Sequence, residues 1–418
     1  MHSKGLFAKA KNYIFNNMVT ILFIILCLLG LNLSGQPLTL VLDELVNRLS
    51  RNLFIVLSLI IPVIAGMGLN FGIVIGAMAA QIVIIAVTHW GIVGVPGFLL
   101  CVVLTTPIAI IFGYLTGKLL NMTKGQEMIT SMILGIFANG LYQLLFLFLV
   151  GTVIPMKNPK LMISGGVGIK NTVDLNGGIK YALDDLWRLS LYEVVYYAAL
   201  IAAIGFVAAI IYRMVKKKSL NVKYIVMAVI CFAAVIVCQL PQIAEILFFV
   251  KVPMISIFIL IILCLFNVFI FKTKLGQDFR TVGQSAVVAN ASGINVNKTR
   301  IKAIIISTVL AAWGQIIFLQ NIGTLNTYGS HEQVGMFAIA AILIGGASVS
   351  KATNKQAILG VILFHTLFVV SPTAGKNLFN NAQIGEYFRV FVAYGVICVS
   401  LALYAWKKIV EDKRDLKM

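Results

Sequence analysis

Hydrogen-bonding residues stand out in a chain whose composition is 60% hydrophobic. In "FANGLYQ", Asn139, Tyr142 and Gln143 recur at spacings of three and four, which puts them on neighbouring faces of a helix. "FLQNIGTLNTYGSHEQVG", residues 318–335, interrupts a second apolar run and supplies Asn321 and Asn326 among glycines and hydroxyls. Asn70 interrupts a third, "GMGLNFGIVIGAMAAQ", in which Gly68, Gly72 and Gly76 form a small-residue stripe suited to close helix contact. Irregular backbone at membrane depth is tolerated only where it is buried in protein or lines a water-filled cavity. Neutral side chains that both donate and accept therefore fit a pathway for an uncharged solute bearing hydroxyl or amide groups.

Other chemistries find little support. The four histidines, His2, His89, His331 and His365, are far apart, and there is no H-E-x-x-H or clustered Cys/His set to hold a metal. All six cysteines lie inside apolar segments without a C-x-x-C pair, so they read as membrane packing residues. "GYLTGKLL" approaches a phosphate-binding loop. It is one residue short between its glycines, and Leu119 stands where Ser or Thr must hold magnesium. No cofactor is called for. Ion-coupled transport needs an ionisable group near mid-membrane, since a charge there costs at least about 2.5 kcal/mol and is kept for a use. Glu245, Glu332, Glu386 and Arg389 all fall at the ends of the expected segments, which disfavours a proton- or sodium-driven carrier.

These residues must be positioned by membrane helices. Only 11% of the 418 residues are charged and the mean hydropathy is +0.99, more apolar surface than a soluble core can bury. Apolar runs reach the length of roughly 20 residues needed to span a bilayer. They are Val19–Leu33, Phe98–Leu120, Ile129–Val150, Val194–Tyr212, Tyr224–Cys238, Met254–Phe271, Ala303–Leu319, Ala357–Val370 and Val390–Trp406. Leu53–Gly66, Phe71–Val87 and Met336–Ser348 are shorter. The expected fold is thus an all-α polytopic integral membrane protein with about 10–12 transmembrane segments, half-helices included. It forms a single domain over 1–418. The first run follows Lys4, Lys9 and Lys11 and, without an A-x-A cleavage pattern in "NLSGQP", reads as an uncleaved helix.

Net charge is +19, but its distribution speaks of topology rather than nucleic acid. With the N-terminus inside, 23 of the 33 Lys and Arg residues fall on the inner side, so both termini are expected in the cytoplasm. Anionic membrane lipid accounts for the remaining basicity without a nucleic-acid partner. Segment 151–190 then lies outside, long enough to fold over an entrance, and reads either as a plain lid or as a docking surface. "RMVKKKSLN" serves as an inner topology anchor. Segment 272–302 lies inside. Its centre, "GQSAVVANASGIN", is bounded by Gly283 and Gly293, which would let the chain turn sharply, and Ser285–Ser292 can form a helix of about two turns. An interfacial helix presents large apolar side chains. Between these glycines there are only Val287 and Val288, which suits a protein partner better than lipid.

From "LGQDFRTVGQSAVVANASGINVNKTR" through "EQVGMFAIAAILIGGASV" to "AILGVILFHTL", the chain resembles permease subunits of bacterial ABC importers for ribose-type sugars, nucleosides and branched-chain amino acids. Gly276, Arg280, Val282, Gly283, Ala289, the run Gly293–Val296, Ser307, Gly314, Ala340-Ala341 and Gly345-Gly346 carry the match. After those last glycines the chain continues "ASVSKATNKQ", where such permeases usually have further glycines. The resemblance implies a multi-pass protein of the bacterial cell membrane that dimerises with a second permease subunit. It implies cytoplasmic ABC ATPase subunits that hydrolyse ATP in trans, and an extracytoplasmic solute-binding protein. It also implies that 276–295 forms the helix coupling permease to ATPase, with Arg280, Gly283, Ala289, Asn290, Gly293 and Asn295 in that contact. "GLNFGI" and "EMITSMIL" are similar to nucleoside permeases, which favours nucleoside or pentose-like solutes. A secondary carrier working without an ATPase is the alternative class.

Overall fold

A computed structural model describes residues 14–15, 17–216 and 222–415; Lys4, Lys9, Lys11, Lys417 and the part of the basic anchor from Lys217 to Asn221 lie outside the described residues. The helices are α1 (Met18–Ser34), α2 (Leu38–Ser58), α3 (Ile60–Ile64), α4 (Ile73–Trp90), α5 (Gly94–Met122), α6 (Glu127–Leu144), α7 (Leu191–Val215) and α8 (Val222–Cys238). They continue with α9 (Pro241–Phe249), α10 (Met254–Ile270), α11 (Lys274–Gln284), α12 (Ala286–Ala291), α13 (Val296–Ile322), α14 (Ser330–Ile344), α15 (Asn354–Phe379) and α16 (Ala382–Asp415). Among the described residues eight helices are long and apolar enough to cross a membrane, or up to ten if each of two bent pairs is one span. The fold is the expected all-α polytopic one. Two short antiparallel ladders are added outside the helices: β1 (Thr172–Asp174) with β4 (Thr324–Asn326), and β2 (Arg188–Ser190) with β3 (Lys251–Pro253).

Helix α13 is the axis of the bundle, packed by α5, α4 and α2. Small residues make this possible. A Cβ on Gly76 would stand 2.4 Å from the Thr308 carbonyl oxygen, so α4 and α13 touch backbone to backbone. The stripe Gly68–Gly72–Gly76 does not lie on one helix, however. Gly66 and Gly68 take φ of +74° and +68°, α3 ends at Ile64, and the chain re-enters a helix only at Ile73. Asn70 closes this break by accepting the Gly72 N–H at 2.9 Å.

Helix α2 departs from the sequence reading, which began this span at Leu53. The span runs Leu38–Ile64 and carries Asp43, Glu44, Arg48 and Arg51 in its first half. Ionisable groups are therefore present within a long helix, and each cation has company. Arg48 pairs with Glu44 at 3.0 Å and its guanidinium lies 5.0 Å from the Phe368 ring centroid; Arg51 donates to Asn321 Oδ1 at 3.1 Å. Helices α7 and α8 lie against each other at the side of the bundle, and α7 is buried over only 6% of its apolar window. A capping box starts α7: Glu193 N–H donates to Ser190 Oγ at 3.3 Å, and Ser190 N–H to Glu193 Oε2 at 2.8 Å.

Candidate functional site

Of the six residues expected along the solute path, Asn139 and Tyr142 come together. They face α6's neighbours Gln81 on α4 and His331 on α14. The Gln81 amide lies 2.9 Å from the Tyr142 hydroxyl and 3.0 Å from His331 Nδ1. Turned so that its nitrogen faces these two atoms, its oxygen accepts the His331 N–H at 3.2 Å and the Gln315 amide at 3.1 Å, leaving no donor facing a donor. His331 Nδ1 is then an acceptor and the ring a neutral Nε2–H tautomer, which donates to Asn139 Oδ1 at 3.0 Å. The Asn139 amide in turn donates to the Glu332 carboxylate. A single directional chain thus runs from buried Gln81 and His331 to exposed Glu332. The Tyr142 hydroxyl accepts from Gln81 and keeps its own proton to donate. Around it the exposed face of α6 is apolar, with Ile136, Phe137 and Leu141, so the polar chain supplies hydrogen-bonding groups beside an otherwise apolar face.

The other four residues are elsewhere. Asn70 holds the turn described above. Asn321 donates to Asp184 Oδ2 at 2.7 Å and accepts from Arg51, a clamp on segment 151–190 rather than part of the chain. Asn326 lies in β4, paired with Thr172, and Gln143 is half-buried beside Tyr142 without joining the network. Sequence reasoning missed Gln81, His331 and Gln315. Gln81 ends the glycine stripe motif and His331 sits within the second interruption, but only the packing of α4, α13 and α14 joins them.

In segment 272–302, α11 turns by 72° from α10 and is followed by the single short helix α12. Ser285 caps α12 by accepting the Val288 N–H at 3.3 Å. Asn295 caps α13 in the same way, from Lys298 N–H at 3.0 Å. Gly293 has φ +79° and makes the expected turn. Gly283 does not use the left-handed region; its lack of a side chain permits contact, since a Cβ there would lie 2.0 Å from the Ile64 carbonyl oxygen. Ala289 is fully buried and faces the protein. The side chains that α12 offers outward are Val287 and Val288, 80% and 57% exposed, with Asn290 also exposed. Arg280 is exposed with its guanidinium 5.5 Å from the Phe271 ring centroid, and it lines a cleft of about 620 Å³ with Ile64, Gly283, Gln284 and Ser350–Thr353. The cleft and the two exposed valines belong to the same segment, 272–302.

The sequence profile of a family described as "Branched-chain amino acid transport system / permease component" matches residues 41–401. The chain belongs to this family. With its apolar helices, membership makes it a multi-pass protein of the bacterial inner membrane. Similar proteins include a probable ABC transporter permease of Sinorhizobium fredii, 33% identical over 32% of this chain and 40% of the relative. A probable ABC transporter permease of Escherichia coli is 30% identical over 37% of this chain and 44% of its own length. A nucleoside ABC transporter permease of Lactococcus lactis is 29% identical over 34% and 42% respectively. The chain therefore spans less than half the length of these relatives. No solved structure matches it.

Proposed function

We propose that this family member is the membrane-spanning permease subunit of an ABC importer, moving a small polar solute, with nucleosides and pentose-like sugars favoured. In this reading both termini are cytoplasmic, a second permease subunit completes the membrane part, and an extracytoplasmic binding protein delivers the solute. Separate ATPase subunits engage 272–302. The observation that carries the reading is α12: it projects two bare valines beside a cleft, on a loop packed directly against the broken span at Ile64–Gly66. Burying Val287 and Val288 in a partner would stabilise the contact by about 1.5–3 kcal/mol each. Movement of that contact would press on the α3–α4 break and so on α4, which carries Gln81. Glu332, Asn139 and Tyr142 supply acceptor and donor groups for sugar hydroxyls. Uptake of tritiated uridine and ribose by cells with and without the chain tests the solute class. ATP-independent counterflow by the isolated chain in liposomes would favour the secondary-carrier alternative instead.

A further inference from the structure

Residues 169–184 run across the end of the bundle where the polar chain begins, and their bonds are concentrated on one connection. Strand β1 pairs with β4 in the α13–α14 link. Beyond the ladder, Leu175 N–H donates to the Gly323 carbonyl at 3.0 Å and Tyr181 N–H to the Gln320 carbonyl at 2.7 Å. Thr327 meets the same segment twice: its N–H donates to the Asn171 carbonyl at 2.8 Å and its hydroxyl to the Lys170 carbonyl at 2.7 Å. On its other side the Thr327 carbonyl lies 3.3 Å from the Gln81 amide nitrogen. The Tyr328 hydroxyl donates to the Ile169 carbonyl at 2.7 Å, and Ile169 N–H donates to the carbonyl of Phe146, at 2.8 Å, a residue whose ring packs tilted against Tyr142 with centroids 4.6 Å apart. The segment thus holds the polar chain from the α14 side and the α6 side at once. Ile169, Val173 and Leu175 are buried, so it is packed as a stopper and not laid on the surface. Its far end is pinned by buried Asp184, which accepts from Ser256 Oγ at 2.6 Å and Asn321 Nδ2 at 2.7 Å.

We propose that residues 169–184 are a strap forming the outer gate of the polar site, and that Thr327 is the positioning residue through which opening the strap releases Gln81, His331 and Tyr142 for solute. The inference rests on the transport reading, because a gate has meaning only where a solute passes. Physically, the strap must break the four-residue-wide set of β1–β4 and Thr327 bonds together, since each shares the same rigid connection. Once they part, the α13–α14 link can shift and carry Thr327 and His331 away from Gln81, whose N–H toward His331 Nδ1 then becomes available to a ligand. The gate and the site then open as one unit rather than in sequence.

The test uses full-length protein in intact cells, with the native cysteines replaced by alanine and Ser330→Cys introduced beside His331. Ser330 is buried, so a membrane-impermeant methanethiosulfonate reagent added outside reaches position 330 only through an open strap. Asp174→Cys with Thr324→Cys, a directly opposed pair in the ladder, locks the strap when oxidised. Val173→Ala loosens it from the strap side. Expected are labelling at position 330 that falls at least about tenfold on oxidation and recovers on reduction, and that rises about tenfold with Val173→Ala, as local opening becomes easier. Labelling unchanged by both, faster from the cytoplasmic side and indifferent to the lock, or absent throughout would overturn the proposal. Uptake of tritiated uridine or ribose is measured on the same cells. A strap effect on labelling without any uptake would remove the transport reading and leave a cover over a polar site; uptake that persists with the strap locked would remove the gate alone.

Discussion

Replacing Gly283 by alanine is a small change with a calculable consequence. The added Cβ would stand 2.0 Å from the Ile64 carbonyl oxygen and 3.0 Å from the Gly66 nitrogen, both backbone atoms that cannot swing aside. Carbon–oxygen contacts settle at about 3.3 Å, so α11 and the α3–α4 break must separate by about 1.3 Å. Overpacking of this kind costs about 1–3 kcal/mol. In segment 272–302 that corresponds to about 5- to 150-fold in the population holding the native contact. Gly293→Ala provides the contrast: it strains a φ of +79° but meets nothing within 4 Å. That strain amounts to about 1–2 kcal/mol, without moving α11. With the cognate ATPase and binding protein in proteoliposomes, Gly283→Ala should lower the solute moved per ATP hydrolysed by several times the loss seen in Gly293→Ala. Equal ratios for the two variants, at equal membrane levels, would refute the role given to the Gly283–Ile64 contact.

Ala289→Trp forces a large ring into a fully buried position on α12 and should uncouple ATP hydrolysis from uptake while the protein still reaches the membrane; normal uptake in proteoliposomes would contradict this. Glu127→Gln weakens the partly buried pair with Arg300 that ties α6 to α13, and should destabilise the protein by about 1.5–3 kcal/mol, read as a lower Tm in detergent. Tyr142→Phe removes one neutral hydrogen-bonding group, worth about 0.5–1.5 kcal/mol, and deprives the Gln81 amide of a partner, so solute KM should rise roughly 2- to 10-fold with a small fall in Tm. Asp184→Asn turns an amide N–H toward Ser256 or Asn321. Hydrogen exchange should then quicken over 172–186 and not in α5.

Hydropathy made the helices legible because each apolar run had to cross or enter the bilayer, and the break at Asn70 and the turn at Gly293 followed from residue type. Helix α2 was harder: its first half is charged, and nothing local indicates that Arg48 is matched by Glu44 and Phe368 or that Arg51 meets Asn321. The candidate site was half legible. Asn139 and Tyr142 share a helix, and spacing alone joins them. Gln81 and His331 are 250 residues apart, and their meeting depends on the close approach of α4 to α13 and on the strap holding the α13–α14 link. Asn321 has the chemistry of a solute ligand but its side chain is taken up by Asp184 and Arg51, while Asn326 joins the ladder through its backbone and keeps an exposed side chain. In segment 272–302 the pattern of small residues was visible, while the division into Ala289 facing in and Val287 and Val288 facing out required the helix phase that Ser285 sets.

The central claim is that a separate ATPase drives this chain through 272–302, and reconstitution with and without that ATPase measures it directly. Proteoliposomes holding the permease, its binding protein and the ATPase should accumulate solute only with ATP. Replacing Val287 and Val288 with arginine should abolish both accumulation and ATPase binding. Undiminished accumulation by that double variant, or uphill uptake by the permease with no ATPase present, would contradict the account.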